Sequence, residues 1–333
     1  MTDAVVNADV PPIPDIGVRL YRGPQDLPAM LRVWDAAHQA DGLEEVSTLE
    51  QMELIYATLV NCDLERDILV VEVDSDTVAY ARVFWLDLVE GGRSYEAFGF
   101  VHPSWRRKGI GSALLRRNEA RLREIAAEHP EVAPKWFGSE SPDSNAGNRA
   151  LLAGAGYQPV RYFHEMVQPA LATVPEVAMP DGLEARPVTR EQYRPIWEAM
   201  REAFRDHWGE AEWTDADWRR FEAEPENADP ALWRVGWDGD QIAGAVLTTI
   251  QAEENERYGR ARVFVASVSV RRAWRRRGLA RALLAGSLRA AHARGFTSAS
   301  LGVDADSPTG VTALYESLGF APKRSFTSYR KPL

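Results

Sequence analysis

Apolar runs of strand length recur along this chain in one order, and that order is written twice. In the first half, ILVVEV (Ile68–Val73) and VAYARVFWL (78–86) predict a hairpin around residues 74–76. YEAFGFV (95–101) reads as the strand that feeds a basic glycine loop, and SALLRRNEARLREIAAE (112–128) as the helix after it. In the second half LWRVGW (232–237), IAGAVLTTI (242–250) and RVFVASVSV (Arg262–Val270) take the same places. RALLAGSLRAAHARG (281–295) supplies the matching helix, and ASLGVD (299–304) is a later strand before a short helix ending in LYESLGF. Each half predicts strand, one or two helices, three strands, loop, helix, strand, helix, strand. The class is α/β.

The halves also repeat in letters. DTVAYARV, from Asp76, answers to DQIAGAVL, from Asp240, and Arg22 matches Arg186. GYQPVRYFHEMVQPA (156–170) answers to GFAPKRSFTSYRKPL (319–333). One domain written twice is the expectation, as repeat periods imply. The expected layout is a flexible tail over 1–17, a first domain over 18–168, a linker over 169–182 and a second domain over 183–333. The linker is assigned from PALATVPEVAMPDG, with three prolines and no periodic apolar face.

The strongest match lies in two basic loops, VHPSWRRKGIGSALL (101–115) and VRRAWRRRGLARALL (270–284). Both fit Arg-x-x-Gly-x-Gly/Ala. The first loop offers Arg106, Arg107, Lys108, Gly109, Ile110, Gly111 and Ser112; the second offers Arg275, Arg276, Arg277, Gly278, Leu279, Ala280 and Arg281. Such a loop suits a pyrophosphate, because N–H groups at a helix start point outward and the helix dipole favours negative charge. Glycine lets the main chain approach without a Cβ, and arginine adds charge-assisted hydrogen bonds.

Composition narrows the setting. The 333 residues are 45% apolar and 26% charged, an ordinary globular balance with room for two domains. Nothing approaches 18 continuous apolar residues, so no membrane span is expected. Cys62 is the sole cysteine, which excludes an internal disulfide and a cysteine-built zinc site and fits a reducing cytoplasm. The net charge is −10, and residues 1–170 carry all of it, with 16 basic against 26 acidic side chains. An acidic chain with arginines gathered in two loops argues against general nucleic-acid binding. No metal ligands stand at metal-site spacing, and His207 has no ligand partner.

With the repeated element order, the two Arg-x-x-Gly-x-Gly/Ala loops and the late LYESLGF, the chain resembles the GNAT superfamily of acyl-CoA-dependent N-acetyltransferases over nearly its whole length, twice. The linked pair is similar in arrangement to the mycothiol synthase branch. The resemblance implies a mixed sheet flanked by helices, with the fourth and fifth strands splayed to admit a pantetheine arm. It implies acetyl-CoA, or another acyl-CoA, held by main-chain groups at Phe100, Val101, Val268 and Val270 and by the two loops. It also implies a tyrosine on the late helix as proton donor to the departing thiolate, a position matched by Tyr315 and, in the first half, by Leu152. Asn145 matches a family asparagine near the cofactor; Pro308 takes that place in the second half. Ala280 for Gly111, and Pro308 for Asn145, predict a weaker second cofactor site.

The general base stays open: Glu96 lies on the first half's fourth strand with Val265 at the matching place, and Glu253, Glu254 and Glu256 precede the second half's fourth strand. Glu254 is the candidate carried forward, with an ordered water chain as the rival. In AMREAFRDHWGEAEWTDADW (199–218), Asp206 and His207 among tryptophans form either an acceptor site for a cationic amine or a piece of aromatic core. The expected activity is acetyl transfer to a small-molecule amine, in specialised or thiol metabolism, with the second domain catalytic. The alternatives are a non-catalytic acyl-CoA-binding regulator and a protein N-acetyltransferase.

Overall fold

The computed structural model describes residues 11–131, 134–224, 230–307 and 310–333 and divides into two compact units. The first runs to Arg161 and takes in residues Phe326–Leu333; the second is Tyr162–Ser325.

The first unit contains β1 (Ile16–Leu20), α1 (Leu27–Ala40), α2 (Leu49–Ala57), β2 (Ile68–Val73), β3 (Asp76–Asp87), β4 (Arg93–Val101), α3 (Ile110–Glu128), β5 (Lys135–Pro142) and α4 (Ala146–Gly154). The β2–β3 turn is tight because Asp74 and Ser75 both take positive φ, 50° and 71°, as the preferred hairpin turns require. α2 starts at a reciprocal cap between Thr48 and Gln51. Strands alternate between two apolar layers. Tyr95, Ala97, Phe137 and Leu152 pack with Leu115 and Leu122 of α3. On the other face, Tyr80 and Val70 pack with Met30 and Val33 of α1 and Met52 and Tyr56 of α2.

The second unit begins in β6 (Gln158–Gln168) and continues through β7 (Glu184–Arg186), α5 (Tyr193–Phe204), α6 (Asp215–Ala223), β8 (Arg234–Asp238), β9 (Gln241–Thr249), α7 (Ala252–Tyr258), β10 (Arg262–Val270), α8 (Leu279–Ala293), β11 (Ser298–Asp304), α9 (Val311–Glu316) and β12 (Ala321–Pro332). Leu279, Leu283, Leu284 and Leu288 of α8 cover Val263, Val265 and Leu301. Trp197, Trp213 and Trp218 join the apolar layer on the other side, with ring centroids 5.4 and 5.7 Å from Trp197. The tryptophan-rich stretch is therefore largely core. α7 was not foreseen: AEENERY reads as a polar loop, yet Gly259 closes it as a left-handed cap.

Three expectations need correction. The flexible tail expected over 1–17 does not hold for residues 13–17, since Ile13 packs on the core and β1 starts at Ile16; residues 1–10 lie outside the described residues. The linker is not free of the core either. Leu171 and Val174 are buried in the second unit, and the Leu171 N–H donates to Thr297 O at 2.9 Å. The compact units also depart from the repeat boundaries at their last strands. The first unit's sheet runs β1-β2-β3-β4-β5-β12, with β12 antiparallel to β5 from Phe326↔Pro142 to Pro332↔Trp136. The second unit's sheet runs β6-β11-β10-β9-β8-β7, with β6 antiparallel to β11. Each unit is thus closed by the terminal strand of the other repeat. Thr327 and Lys331 fasten β12 in place, donating to Asp143 at 2.9 Å and to both Glu119 oxygens at 2.8 and 3.0 Å.

Candidate functional site

The parallel pairs at the centre of each sheet separate partway. β4 and β5 pair only from Arg93↔Lys135 to Glu96↔Gly138, although β4 continues to Val101 and β5 to Pro142. β10 and β11 pair only from Arg262↔Ser298 to Val265↔Leu301. Beyond those points the facing backbone edges, including those at Phe100, Val101, Val268 and Val270, have no strand partner across the gap among the described residues. An amide-bearing chain fits such an edge as an added strand does.

The two gaps differ in one feature. β4 keeps an even register with β3 up to Ala79↔Val101. β10 carries a bulge against β9 between Val265 and Ser267, at Ala266. A bulge leaves one residue's backbone unpaired and bends the strand. It also reverses facing for the residues below it. Val265 therefore points into the core under α8, whereas Glu96 lies on the opposite face of its sheet, over Gly138, where a Cβ would collide with its carboxyl. Val265 answers to Ala97, not to Glu96, and the sequence pairing is corrected accordingly.

The glycine loops lie at the open ends of these gaps, and they match closely. Arg106 and Arg275 share φ −66°, with ψ 157° and 158°. Arg107 and Arg276 take positive φ, 65° and 61°, and so do Gly109 and Gly278, 91° and 84°. Two left-handed residues in a short span turn the N–H groups into a concave nest at the start of α3 or α8, the geometry that receives phosphate oxygens. Ile110 and Leu279 bury their side chains and so pin each helix start. Arg107, Lys108, Arg276, Arg277 and Arg281 are exposed around the nests.

Arg106 and Arg275 donate to groups of the protein itself. Arg106 donates to Val101 O (3.2 Å) and to Asp41 Oδ1 and Oδ2 (2.6 and 3.0 Å). Arg275 repeats this with Val270 O (2.9 Å), Ala203 O (2.9 Å) and Asp206 Oδ2 (2.7 Å). Each arginine ties the loop to the strand before it and to the end of the unit's first helix. Asp206, expected at the acceptor, is committed to this clamp, and Arg272 holds it from a second side. Arg272 and then Arg275 keep its carboxyl far below the usual carboxylate range. His207, beside it, sits 4.5 Å from the Phe204 ring; desolvation and the Arg275 charge lower its pKa and favour the neutral imidazole. Asn145 is likewise drawn into the first clamp, donating to Asp41 Oδ2 at 2.9 Å. Sequence reasoning missed Asp41; its signal was that both repeats carry an aspartate within two residues of the end of their first long helix. Pro308 lies outside the described residues.

A Cβ at Gly111 would stand 3.4 Å from Leu151 Cδ2, an ordinary contact inside the protein, so the fold itself accommodates the alanine that the second loop carries as Ala280. Gly111→Ala is expected to leave acetyl-CoA affinity within about threefold, since no contact closer than van der Waals range arises. Gly109→Ala forces a left-handed alanine and should weaken binding about tenfold. Calorimetric titration of the full chain with acetyl-CoA compares them; a larger loss in the Gly111 variant would reverse the assignment.

Tyr315, on α9 just past β11, is 6% exposed, with its ring 5.9 Å from that of Phe320. Burial pushes its phenol well above the ordinary value, so it stays protonated through the physiological range. Leu152, its counterpart, is buried core. Of the three glutamates before β10, Glu253 and Glu256 are exposed. Glu254 turns inward, 12% exposed at the side chain, and accepts from Arg260 Nη2 at 2.7 Å. No described helix is long and apolar enough to cross a membrane.

Comparison with known proteins agrees with this geometry. Residues 195–320 match the acetyltransferase (GNAT) family model, and residues 65–147 match an acetyltransferase (GNAT) domain model. The mycothiol acetyltransferase of Clavibacter michiganensis subsp. michiganensis is 31% identical over 334 residues, covering 99% of this chain and 96% of that protein. The mycothiol acetyltransferase of Geodermatophilus obscurus is 29% identical over 314 residues, covering 92% and 95%. A crystal structure of a GCN5-related N-acetyltransferase from Sphaerobacter thermophilus superposes with TM-score 0.71 at 28% identity, covering 96% of both chains. Paired glycine nests, splayed central strands and these matches lead to one conclusion: the chain belongs to the GNAT acetyltransferase family and carries two GNAT domains in tandem.

Proposed function

We propose that this acyltransferase moves the acetyl group of acetyl-CoA onto a small-molecule amine of thiol metabolism, and that the second unit performs the transfer. The observation that carries the reading is an asymmetry. The second unit combines the bulged β10 with Tyr315, whereas the first combines an unbulged β4 with Leu152. The name shared by the curated relatives, mycothiol acetyltransferase, supports the acceptor class.

Bound acetyl-CoA supplies a thioester carbonyl for the amine to attack. The nests at Arg107–Gly109 and Arg276–Gly278 would hold pyrophosphate through backbone N–H groups, and the free edge of β10 would align the pantetheine amides. The backbone N–H left unpaired at the bulge would stabilise charge growing on the carbonyl oxygen. Tyr315 Oη gives its proton to the departing sulfur. Glu254 takes the proton that the acceptor's ammonium loses before the neutral amine attacks, directly or through water. The first unit holds a second acyl-CoA without turnover.

The test is acceptor-dependent release of CoA thiol by the full chain, across a panel of small amines, amino sugars and peptides. Release with a small amine, and a mass gain of one acetyl group on it, is expected. Acetyl-CoA binding without release on any acceptor would make the chain a non-catalytic binder. Release only on peptide N-termini or lysines would make it a protein acetyltransferase.

A further inference from the structure

One charged group in the first unit has no counterpart in the transfer chemistry. Arg82, on β3, has Nε and Nη1 buried, and none of its nitrogens has a hydrogen-bond or carboxylate partner among the described residues. Its guanidinium carbon lies instead among three rings, 4.9 Å from the centroid of Phe98, 5.5 Å from Phe84 and 5.6 Å from Tyr56. Tyr56 Oη is also buried without a partner. Rings soften the cost of a desolvated cation but do not neutralise it. The face is open beside it, since Phe98, directly across from Arg82 in the β3–β4 register, is 37% exposed.

The opposite charge stands next along the same face. Glu96 is two residues from Phe98 on β4, hence about 7 Å along the strand. Ser94 Oγ donates to Glu96 Oε1 at 2.5 Å, and Glu140 on β5 accepts from Ser328 Oγ at 2.7 Å. Burial, and then the nearby Glu140 carboxylate, raise the pKa of Glu96 against the Ser94 hydrogen bond and the charge of Arg330, which lies across Gly138 on β12. Two carboxylates thus share this end of the face with the single guanidinium of Arg330, while the Arg82 guanidinium across Phe98 has no carboxylate partner among the described residues. The second unit does not repeat the cation at this position. In its register Leu247 opposes Ser267 where Arg82 opposes Phe98.

We propose that this face of the first unit binds a small zwitterion, its carboxylate on Arg82 and its ammonium between Glu96 and Glu140, with its aliphatic middle on Phe98. The site is distinct from the acetyl transfer assigned to the second unit and does not depend on it. A carboxylate gives Arg82 the charge-assisted partner it lacks, and an ammonium relieves the repulsion of the two acids.

The probe is 5-aminopentanoate, with pentanoate and pentylamine as single-charge controls, each titrated into the full chain by calorimetry. The zwitterion is expected to bind about tenfold or more tightly than either control, the scale of one added charge-assisted hydrogen bond. Arg82→Met should lose about tenfold for the zwitterion and weaken pentanoate, leaving pentylamine unchanged; Arg82→Lys should keep part of the affinity. Glu96→Gln should weaken the zwitterion and pentylamine and spare pentanoate. Because its guanidinium is unpaired, Arg82→Met should not lower the melting temperature. Equal zwitterion affinity in wild type and Arg82→Met overturns the proposal. So does a folded wild type that binds none of the three at millimolar concentration, or an Arg82→Met that melts lower without losing affinity.

Discussion

Replacing Tyr315 by Phe is expected to lower acetyl transfer by roughly 10- to 1000-fold while acetyl-CoA binding and melting stay near wild type. The phenol's apolar body packs with Leu318 and Phe320, and Phe preserves that packing. Among the described residues the hydroxyl has no hydrogen-bond partner, so the fold loses little. In the proposed transfer, what goes is a proton held in place until negative charge grows beside it. Burial keeps the phenol protonated well past neutral pH, so its ionisation would not limit activity there. The residual rate depends on how well water substitutes for the hydroxyl. Leu152→Ala, the same position in the first repeat, should do the reverse, costing about 2–5 kcal/mol of stability by opening a cavity, with turnover per folded molecule little changed. Steady-state turnover of both variants with one amine, alongside thermal melts, checks the pair. An unaltered rate in the Tyr315 variant would place the proton transfer on another group.

Asp41→Asn should destabilise the first unit by about 3 kcal/mol, the low end for breaking a buried ion pair, because Arg106 retains some exposure. Asp41 is only 8% exposed at its side chain and takes three donors, two from Arg106 and one from Asn145. Asparagine offers one oxygen and turns an amide toward a cation. The freed guanidinium would no longer clamp residues 106–109, so the loop should loosen before the unit melts. Faster hydrogen exchange at amides 107–111 and a melting drop of roughly 6–12 °C are the expected readouts. Asp206→Asn should cost less, since that carboxylate is 24% exposed. An Asp41→Asn chain with unchanged exchange in the loop would mean that the nest holds its shape unaided.

Much of this was legible in the sequence. The two loops, the strands feeding them and the late-helix pair Tyr315 and Leu152 were readable because they are local patterns repeated in order. The clamps were not, because Asp41 and Arg106 lie far apart in sequence and the motif's leading arginine looks like a phosphate ligand. The bulge at Ala266 leaves no side-chain signature in RVFVASVSV; it shows only in the register with β9, and it misled the pairing of Glu96 with Val265. Asp206 looked like an acceptor group because it sits among tryptophans, but the arginines that claim it come from the loop. Arg82 passed unnoticed inside DTVAYARV, where a charge within a strand reads as solvent-facing.

The exchange of last strands sets a schedule for synthesis. β12 is made about 180 residues after β5, the strand it completes. At ribosomal rates of roughly 5–20 residues per second, β5 waits about 10–40 s with a bare edge. That edge reads KWFGSESP, and Lys135 and Glu140 along it are the kind of charged guards that discourage foreign strands. Over the same interval the second repeat emerges beside a first unit that is one strand short. Cutting the gene between the repeats would therefore leave each half without the strand that closes its sheet and carrying the other's closing strand, β6 on the leading half and β12 on the trailing one.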